Sequence, residues 1–207
     1  MKLSAYIVAV DAGFAPNPFG HYCTLACCKP TIRRKAEKDD IIIGTAYARS
    51  SKPRHLIFAM KVLGVLPYQR YWTDRRFHSR KPSAKSAISR RGDNIWYQRK
   101  GEWQVVDGAF HDISHCDRDT GGENAVFARE FFYFGREAIK VDTEFQHLLA
   151  KTQGHKNCSD PKVINGFWDW VTAKAPRFGR LGNPSEFTDD GYRSQCATIE
   201  ADDIEEC

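Results

Sequence analysis

The sequence predicts an α+β fold, and three observations carry that expectation. Apolar runs of strand length recur through residues 1–135, Gly- and Pro-rich turns separate them, and two stretches with helical spacing follow Gly135. A chain of 207 residues can enclose one sizeable core. The expected organisation is one domain over residues 1–185 and an acidic, mobile tail over 186–207.

The elements follow in order. KLSAYIVAV (2–10) is rich in β-branched and aromatic residues and reads as a buried strand. DAGFAPNPFG ends it as a loop, because two prolines and two glycines oppose both regular structures. HYCTLACC then permits a helical turn, and Pro30 suits the first position of a new helix through Ala36. IIIGTAYA (41–48) and HLIFAMKVLGVL (55–66), joined by the turn-rich RSSKPR, read as the central strand pair of a sheet. DNIWYQ, GEWQVVD and ENAVFAREFFYFG read as further strands, with RKG and DRDTGG as turns. DTEFQHLLAK and DPKVINGFWDWVTAK read as helices, the second with Asp160 as N-cap and Pro161 at the first position.

Composition and charge narrow the class. With 42% hydrophobic and 28% charged residues the chain is globular in type, which argues against disorder. Its net charge of +5 conceals an asymmetry: residues 186–207 hold eight acids and one Arg, while the remainder holds 30 basic and 18 acidic side chains, a net +12. A basic body attracts phosphate-bearing partners. Residues 67–100 concentrate this character, with ten Lys/Arg against two Asp, interleaved with Tyr68, Tyr71, Trp72, Phe77, Trp96 and Tyr97. Basic side chains can follow phosphates there while flat rings stack on bases. Arg75 and Arg76 are the first phosphate candidates, whereas Tyr71 and Trp96 are expected to belong to the core.

Seven cysteines, an odd number in a long chain, do not form the pattern of a disulfide framework, so a reducing cytoplasm is expected. Asp11 interrupts the first apolar run, and no stretch has the roughly 18 apolar residues of a membrane span. Cys23-x3-Cys27-Cys28 is too crowded for a usual zinc knuckle, so neither metal nor cofactor is expected. A reactive thiol at Cys23 or Cys28 remains open, with His21, Lys29 and Arg33 close in sequence. Lys29, Arg33 and Arg34 flank the helix start at Pro30 and are candidates to meet an anion. Asp93-Asn94 either caps a turn or reads a polar ligand edge, and His155 is a candidate acid–base group as well as a structural histidine. The phosphate-binding, dinucleotide, zinc-protease and serine-hydrolase signatures are absent.

The stretches AVDAGFAPNPFG, CTLACCKPTIRR, DDIIIGTAYA, HLIFAMKVLGVLPYQRYWTD, GDNIWYQ, FYFG, QGHKNCSD and FWDWV together resemble the nucleotide modification associated domain 2 family over most of residues 1–185. That resemblance implies a phage or bacterial system that makes or handles modified bases, and draws attention to Asn17, Thr24, Cys28, Lys29, Arg33, Trp72, Asn94, Tyr97 and His155. DDIIIGT followed by LIFAMKV and an aromatic loop is also similar to PUA-like barrels, including EVE domains. This second likeness implies a small mixed β-barrel with flanking helices and a pocket for a flipped base. Trp72 and Tyr97 have the chemistry of stackers and Asn94 that of a bidentate amide.

Two functions are therefore expected. The first is binding of nucleic acid or a modified base or nucleotide, with Asn17, Thr24, Trp72, Asn94 and Tyr97 at the base and Lys29, Arg33, Arg75 and Arg76 at phosphates. The alternative is an enzyme acting on a nucleotide or modified base through Cys28 or His155. No membrane partner is expected, and the acidic tail is open to a protein partner or to folding back on the basic body.

Overall fold

The computed structural model describes residues 1–152 and 154–187. The chain runs through β1 (Leu3–Val8), β2 (Cys23–Leu25), α1 (Pro30–Lys35), β3 (Ile41–Ala46), β4 (Leu56–Lys61) and β5 (Gly64–Pro67). It continues with α2 (Tyr68–Thr73), α3 (Ala87–Arg90), β6 (Trp96–Arg99), β7 (Glu102–Val105), α4 (Cys116–Thr120), β8 (Asn124–Ala128) and β9 (Glu130–Tyr133). The last elements are β10 (His155–Cys158), α5 (Pro161–Lys174) and β11 (Gly179–Arg180).

A six-stranded sheet in the order β10-β1-β3-β4-β9-β11 forms the centre of this mixed α/β structure, with β3 and β4 as its middle, antiparallel pair. β1 lies parallel to β3 and β11 parallel to β9, while the other neighbours are antiparallel. Ile41, Ile42 and Ile43 can be consecutive because both faces of this sheet are covered. Alternate residues Leu3, Ala5, Ile41 and Ile43 pack with Ile164, Phe167 and Val171 of α5. Tyr6, Val8 and Ile42 face the other way, toward Leu25, Val126 and Ile32 of α1. A second sheet, β2-β8-β5, lies on that side, and β6-β7 forms a separate hairpin.

Among the described residues the six-stranded sheet ends at β10 and β11, and no pairing joins those edges. The structure is therefore not the closed PUA-like barrel expected. The discrepancy arises where strands break. HLIFAMKVLGVL does not remain in one sheet: β4 stops at Lys61 and β5 starts at Gly64 in the other sheet. ENAVFAREFFYFG divides in the same way at Arg129 into β8 and β9.

Local signals succeed where their causes are local. Asp160 caps α5 by accepting from the N–H of Lys162 at 2.9 Å and Val163 at 3.5 Å, and Pro161 holds the first position. Three expectations change under tertiary pairing. Cys23–Leu25, expected to turn helically, pairs with β8; DRDTGG supplies all but the first residue of α4; and Thr143–Leu148 is a 3₁₀ rather than an α-helix.

The acidic segment starts on packed residues. The Glu186 N–H donates to the Asp11 carbonyl at 3.0 Å, and the Phe187 ring lies 5.5 Å from that of Phe19. The expected mobile tail beyond residue 187 lies outside the described residues. No helix among the described residues is long and apolar enough to cross a membrane.

Candidate active site

A tight turn after β2 places one cysteine at the edge of a cleft. Cys28 and Lys29 have φ of 59° and 44°, the left-handed region that residues with a side chain seldom adopt. Pro30 follows at once and disfavours ordinary helical geometry in the residue before it, so the chain turns sharply into α1. Cys27 is fully buried, whereas Cys28 is partly accessible and lines a cleft of about 260 Å³.

Arg33 fastens this turn to the opposite wall. Its Nε donates to the Cys28 carbonyl at 2.6 Å, Nη1 to the Tyr68 hydroxyl at 2.6 Å and the Asn124 carbonyl at 2.7 Å, and Nη2 to the Asp119 carbonyl at 2.5 Å. A Cβ on Gly122 would lie 2.3 Å from the guanidinium carbon, so only glycine leaves room for it. Arg33 is 0% exposed and all its nitrogens have protein acceptors.

On that wall stand a carboxylate and an imidazole. Asp119 Oδ1 accepts the Cys28 N–H at 2.8 Å, and Oδ2 accepts from Trp96 Nε1 at 3.1 Å and His111 Nδ1 at 2.6 Å. An ionised carboxylate only accepts, so the neutral His111 ring carries its proton on Nδ1 and presents Nε2 as an acceptor. Nε2 lies 3.9 Å from Cys28 Sγ and 3.5 Å from Arg118 Nη2. Burial alone would raise the Asp119 carboxyl, but the His111 bond and charge, the Cys28 amide and the Arg33 guanidinium outweigh it and hold the group below the usual carboxylate range. The His111 ring is stacked on His115 at 4.3 Å and meets the Phe14 ring edge-on at 4.7 Å.

The cleft beside the thiol is largely apolar, with Val8, Phe14 and Phe110 among its walls and Lys29 and Arg118 as its cations. Burial, together with the charge of Arg118, pushes the Lys29 ammonium down, while Cys28 acts in the opposite direction. Tyr6 also lines the cleft, and its buried hydroxyl has no hydrogen-bond partner among the described residues. The wall is braced from the C-terminal side: Asp11 Oδ2 accepts from the N–H and Oγ of Ser185 at 2.8 and 2.9 Å, and Oδ1 from the Tyr133 hydroxyl.

Cys27, His111 and Asp119 also offer donor atoms within 4.8 Å of one another. The 2.6 Å contact of His111 with Asp119 is nevertheless a hydrogen bond. Two ligands of a tetrahedral zinc at ~2.0–2.1 Å would stand about 3.3 Å apart, so the group fits a proton better than a metal.

Three other candidates lie together: Asn17 pairs with Thr24 through backbone hydrogen bonds of 2.8 and 3.0 Å, and Thr24 bonds Asp93, the neighbour of Asn94. The Asn17 amide donates to the Arg91 carbonyl at 2.8 Å and its oxygen accepts the Phe19 N–H at 3.1 Å. Thr24 donates to Asp93 at 2.6 Å, and the Asn94 amide to the carbonyls of Tyr71 and Phe77 at 3.0 and 3.2 Å. All three are buried, and their side chains bond to protein groups. The Trp72 and Tyr97 rings stack on each other at 4.5 Å and 19°, leaving no gap between them for a base, and Lys81 Nζ lies 3.6 Å above Trp72.

Arg75 and Arg76 are exposed on the 3₁₀ helix after α2, and Arg76 pairs with Asp74 at 2.7 Å. Cys23 is in the core, its thiol pushed up by burial. His155 lies on β10 opposite Tyr6, with its imidazole pushed down by partial burial and by Lys29 and Lys35. The imidazole that meets Cys28 is instead His111. His111, Arg118 and Asp119 escaped the sequence reading because HDISHCDRD carries no motif beyond a cluster of polar types, and 83 and 91 residues separate His111 and Asp119 from Cys28. Tyr71 and Trp96 are core residues as expected.

No curated protein and no solved structure matches the chain. A family model does: residues 1–191 match nucleotide modification associated domain 2, a nucleotide-modification context, and the chain belongs to that family.

Proposed function

We propose that this protein is a thiol enzyme that acts on a nucleotide or modified base by acyl transfer. The single observation that carries the reading is the line Cys28 Sγ, His111 Nε2, His111 Nδ1, Asp119 Oδ2, with contacts of 3.9 and 2.6 Å at its two joints. A thiol, an imidazole and an orienting carboxylate recur on unrelated folds as the parts of one nucleophile and are recognised by geometry.

In the reaction, His111 Nε2 takes the proton from Cys28 as Sγ bonds to the carbonyl carbon of the substrate. The C–N or C–O bond to the leaving group then breaks, and the imidazolium returns its proton to that group. Water or an acceptor nucleophile, deprotonated by His111, resolves the thioester and regenerates the thiol. Asp119 positions the ring and stabilises its charged form. Arg118 and Lys29 favour negative charge at the thiol, and the Tyr6 hydroxyl is available as a donor to the substrate. Binding of a base without catalysis is less favoured, because Trp72 and Tyr97 fill their own gap.

The test is the rate at which iodoacetamide labels each cysteine, read by peptide mass, together with a search for a thioester on Cys28 after mixing with oligonucleotides that carry acylated bases. Cys28 labelling that exceeds that of Cys116 and Cys158 and slows in His111→Ala supports the nucleophile. Equal labelling at all three with no dependence on His111 overturns it.

A further inference from the structure

A second hollow, of about 420 Å³, lies between the loop at Pro18–His21, Arg129 at the junction of β8 and β9, and the segment Arg177–Arg180. Arg129, Arg177, Arg180 and His21 line it, and no carboxylate among the described residues does. All four are exposed, and none of the three arginines has an ion-pair partner among the described residues. Three guanidinium groups around one hollow repel one another, whereas ordinary surfaces intersperse the two signs. The geometry is nevertheless held: Arg180 lies 5.3 Å over the Phe19 ring, and its Nη1 donates to Asn183 Oδ1 at 2.6 Å.

An aromatic ring accompanies these charges. Phe178 lines the hollow and is 43% exposed, yet its ring is supported from behind by Phe132, with centroids 4.9 Å apart. Guanidinium groups match phosphate oxygens in a fork, and a supported flat ring offers a stacking face that every base can use. The loop from Asp11 to Tyr22 walls both sites, with Ala12 and Phe14 at the Cys28 cleft and Pro18 and His21 at the hollow.

We infer that the hollow of Arg129, Arg177 and Arg180 binds the phosphodiester backbone of a single-stranded nucleic acid, with Phe178 under one of its bases. The inference adds to the acyl-transfer reading a polymeric substrate, a strand rather than a free nucleotide, but its binding site stands without that chemistry.

The experiment is fluorescence anisotropy of the full chain with a labelled single-stranded DNA 12-mer at two salt concentrations, competed by a mononucleotide and by inorganic phosphate. Arg129→Glu and Arg177→Glu are each expected to weaken binding about tenfold or more, with a shallower salt dependence. Phe178→Ala is expected to weaken binding without changing the salt slope. Lys162→Glu serves as the comparison on another exposed surface, and Cys28→Ala is expected to bind normally, which separates this site from the acyl-transfer reading. Circular dichroism of each variant confirms folding, and Arg177→Lys is expected to restore part of the affinity lost in Arg177→Glu. Unchanged affinity in folded Arg129→Glu and Arg177→Glu overturns the inference, as does competition by mononucleotide or phosphate at the concentration where the strand itself competes.

Discussion

The His111 imidazole and the Asp119 carboxylate meet at 2.6 Å with neither side chain reaching solvent. This contact settles which ring nitrogen faces the thiol. Asp119→Asn retains the shape but replaces an acceptor by an amide that can donate, so the ring no longer has to hold its proton on Nδ1. The expected outcome is a loss on the order of 10²–10⁴ in turnover. The pH profile of Cys28 alkylation checks it, because a purely structural Asp119 would leave that profile in place.

The same carboxylate predicts an acid-sensitive fold. Its folded-state pKa lies below the unfolded value, so its stabilisation is present above the unfolded value and is lost as pH falls through the folded one. Asp11 behaves oppositely. Burial raises it despite the Tyr133 and Ser185 bonds, so its contribution favours the fold at low pH and declines as pH rises from the unfolded value of about 4 through the raised one. Thermal melts across pH should show the deficit of Asp119→Asn narrowing in acid, and Asp11→Asn losing the decline above about pH 4.

Arg33 is expected to matter for stability. Arg33→Met removes a donor from the Tyr68 hydroxyl and from the carbonyls of Cys28, Asn124 and Asp119, of which Asp119 keeps the Tyr68 hydroxyl and the Gly122 N–H, at a cost of about 3–5 kcal/mol in urea denaturation. A phosphate ligand would behave differently, leaving stability unchanged while weakening an anion. Gly122→Ala, which forces the guanidinium aside, should share the destabilisation and slow Cys28 alkylation.

Tyr6→Phe separates binding from folding. The buried hydroxyl has no protein partner among the described residues, so its removal should leave stability unchanged or raise it by up to about 1 kcal/mol. A fall in turnover of the acylated substrate with an unchanged melting temperature would identify the hydroxyl as a substrate donor.

Removal of residues 188–207 takes away seven acids and one Arg. If this segment competes for the basic body, oligonucleotide affinity rises in the shortened chain. Anisotropy at low salt checks it, and equal affinity ends that reading.

Much of the central sheet was legible because its causes lie in short segments. Ile41–Ile43 is β-branched and apolar without interruption, as a strand covered on both faces must be, and Asp160-Pro161 states a helix start within two residues. What was not legible depended on distant partners. The breaks after Lys61 and at Arg129 exist because the flanking strands join different sheets, which no local periodicity records. Cys28 was visible as a candidate thiol, but the imidazole it meets comes from a segment without a motif. Arg33 looked like surface charge until residues 28, 68, 119 and 124 supplied its acceptors, and Arg129 and Arg177 looked no different from other basic residues until the fold placed them around one hollow.

The two bonds from Ser185 to Asp11 tie the segment after β11 to the loop that carries the Phe14 wall of the cleft. Cys28, His111 and Asp119 all lie upstream of the exposed stretch Pro176–Phe178, so a protease cutting there would leave every one of them on a single fragment. Such a clip should release the brace on Asp11 and loosen the Phe14 wall while sparing the contact of Cys28 with His111. On the proposed acyl-transfer reading, the clipped protein would lose its grip on substrate while Cys28 stayed as reactive toward iodoacetamide as before.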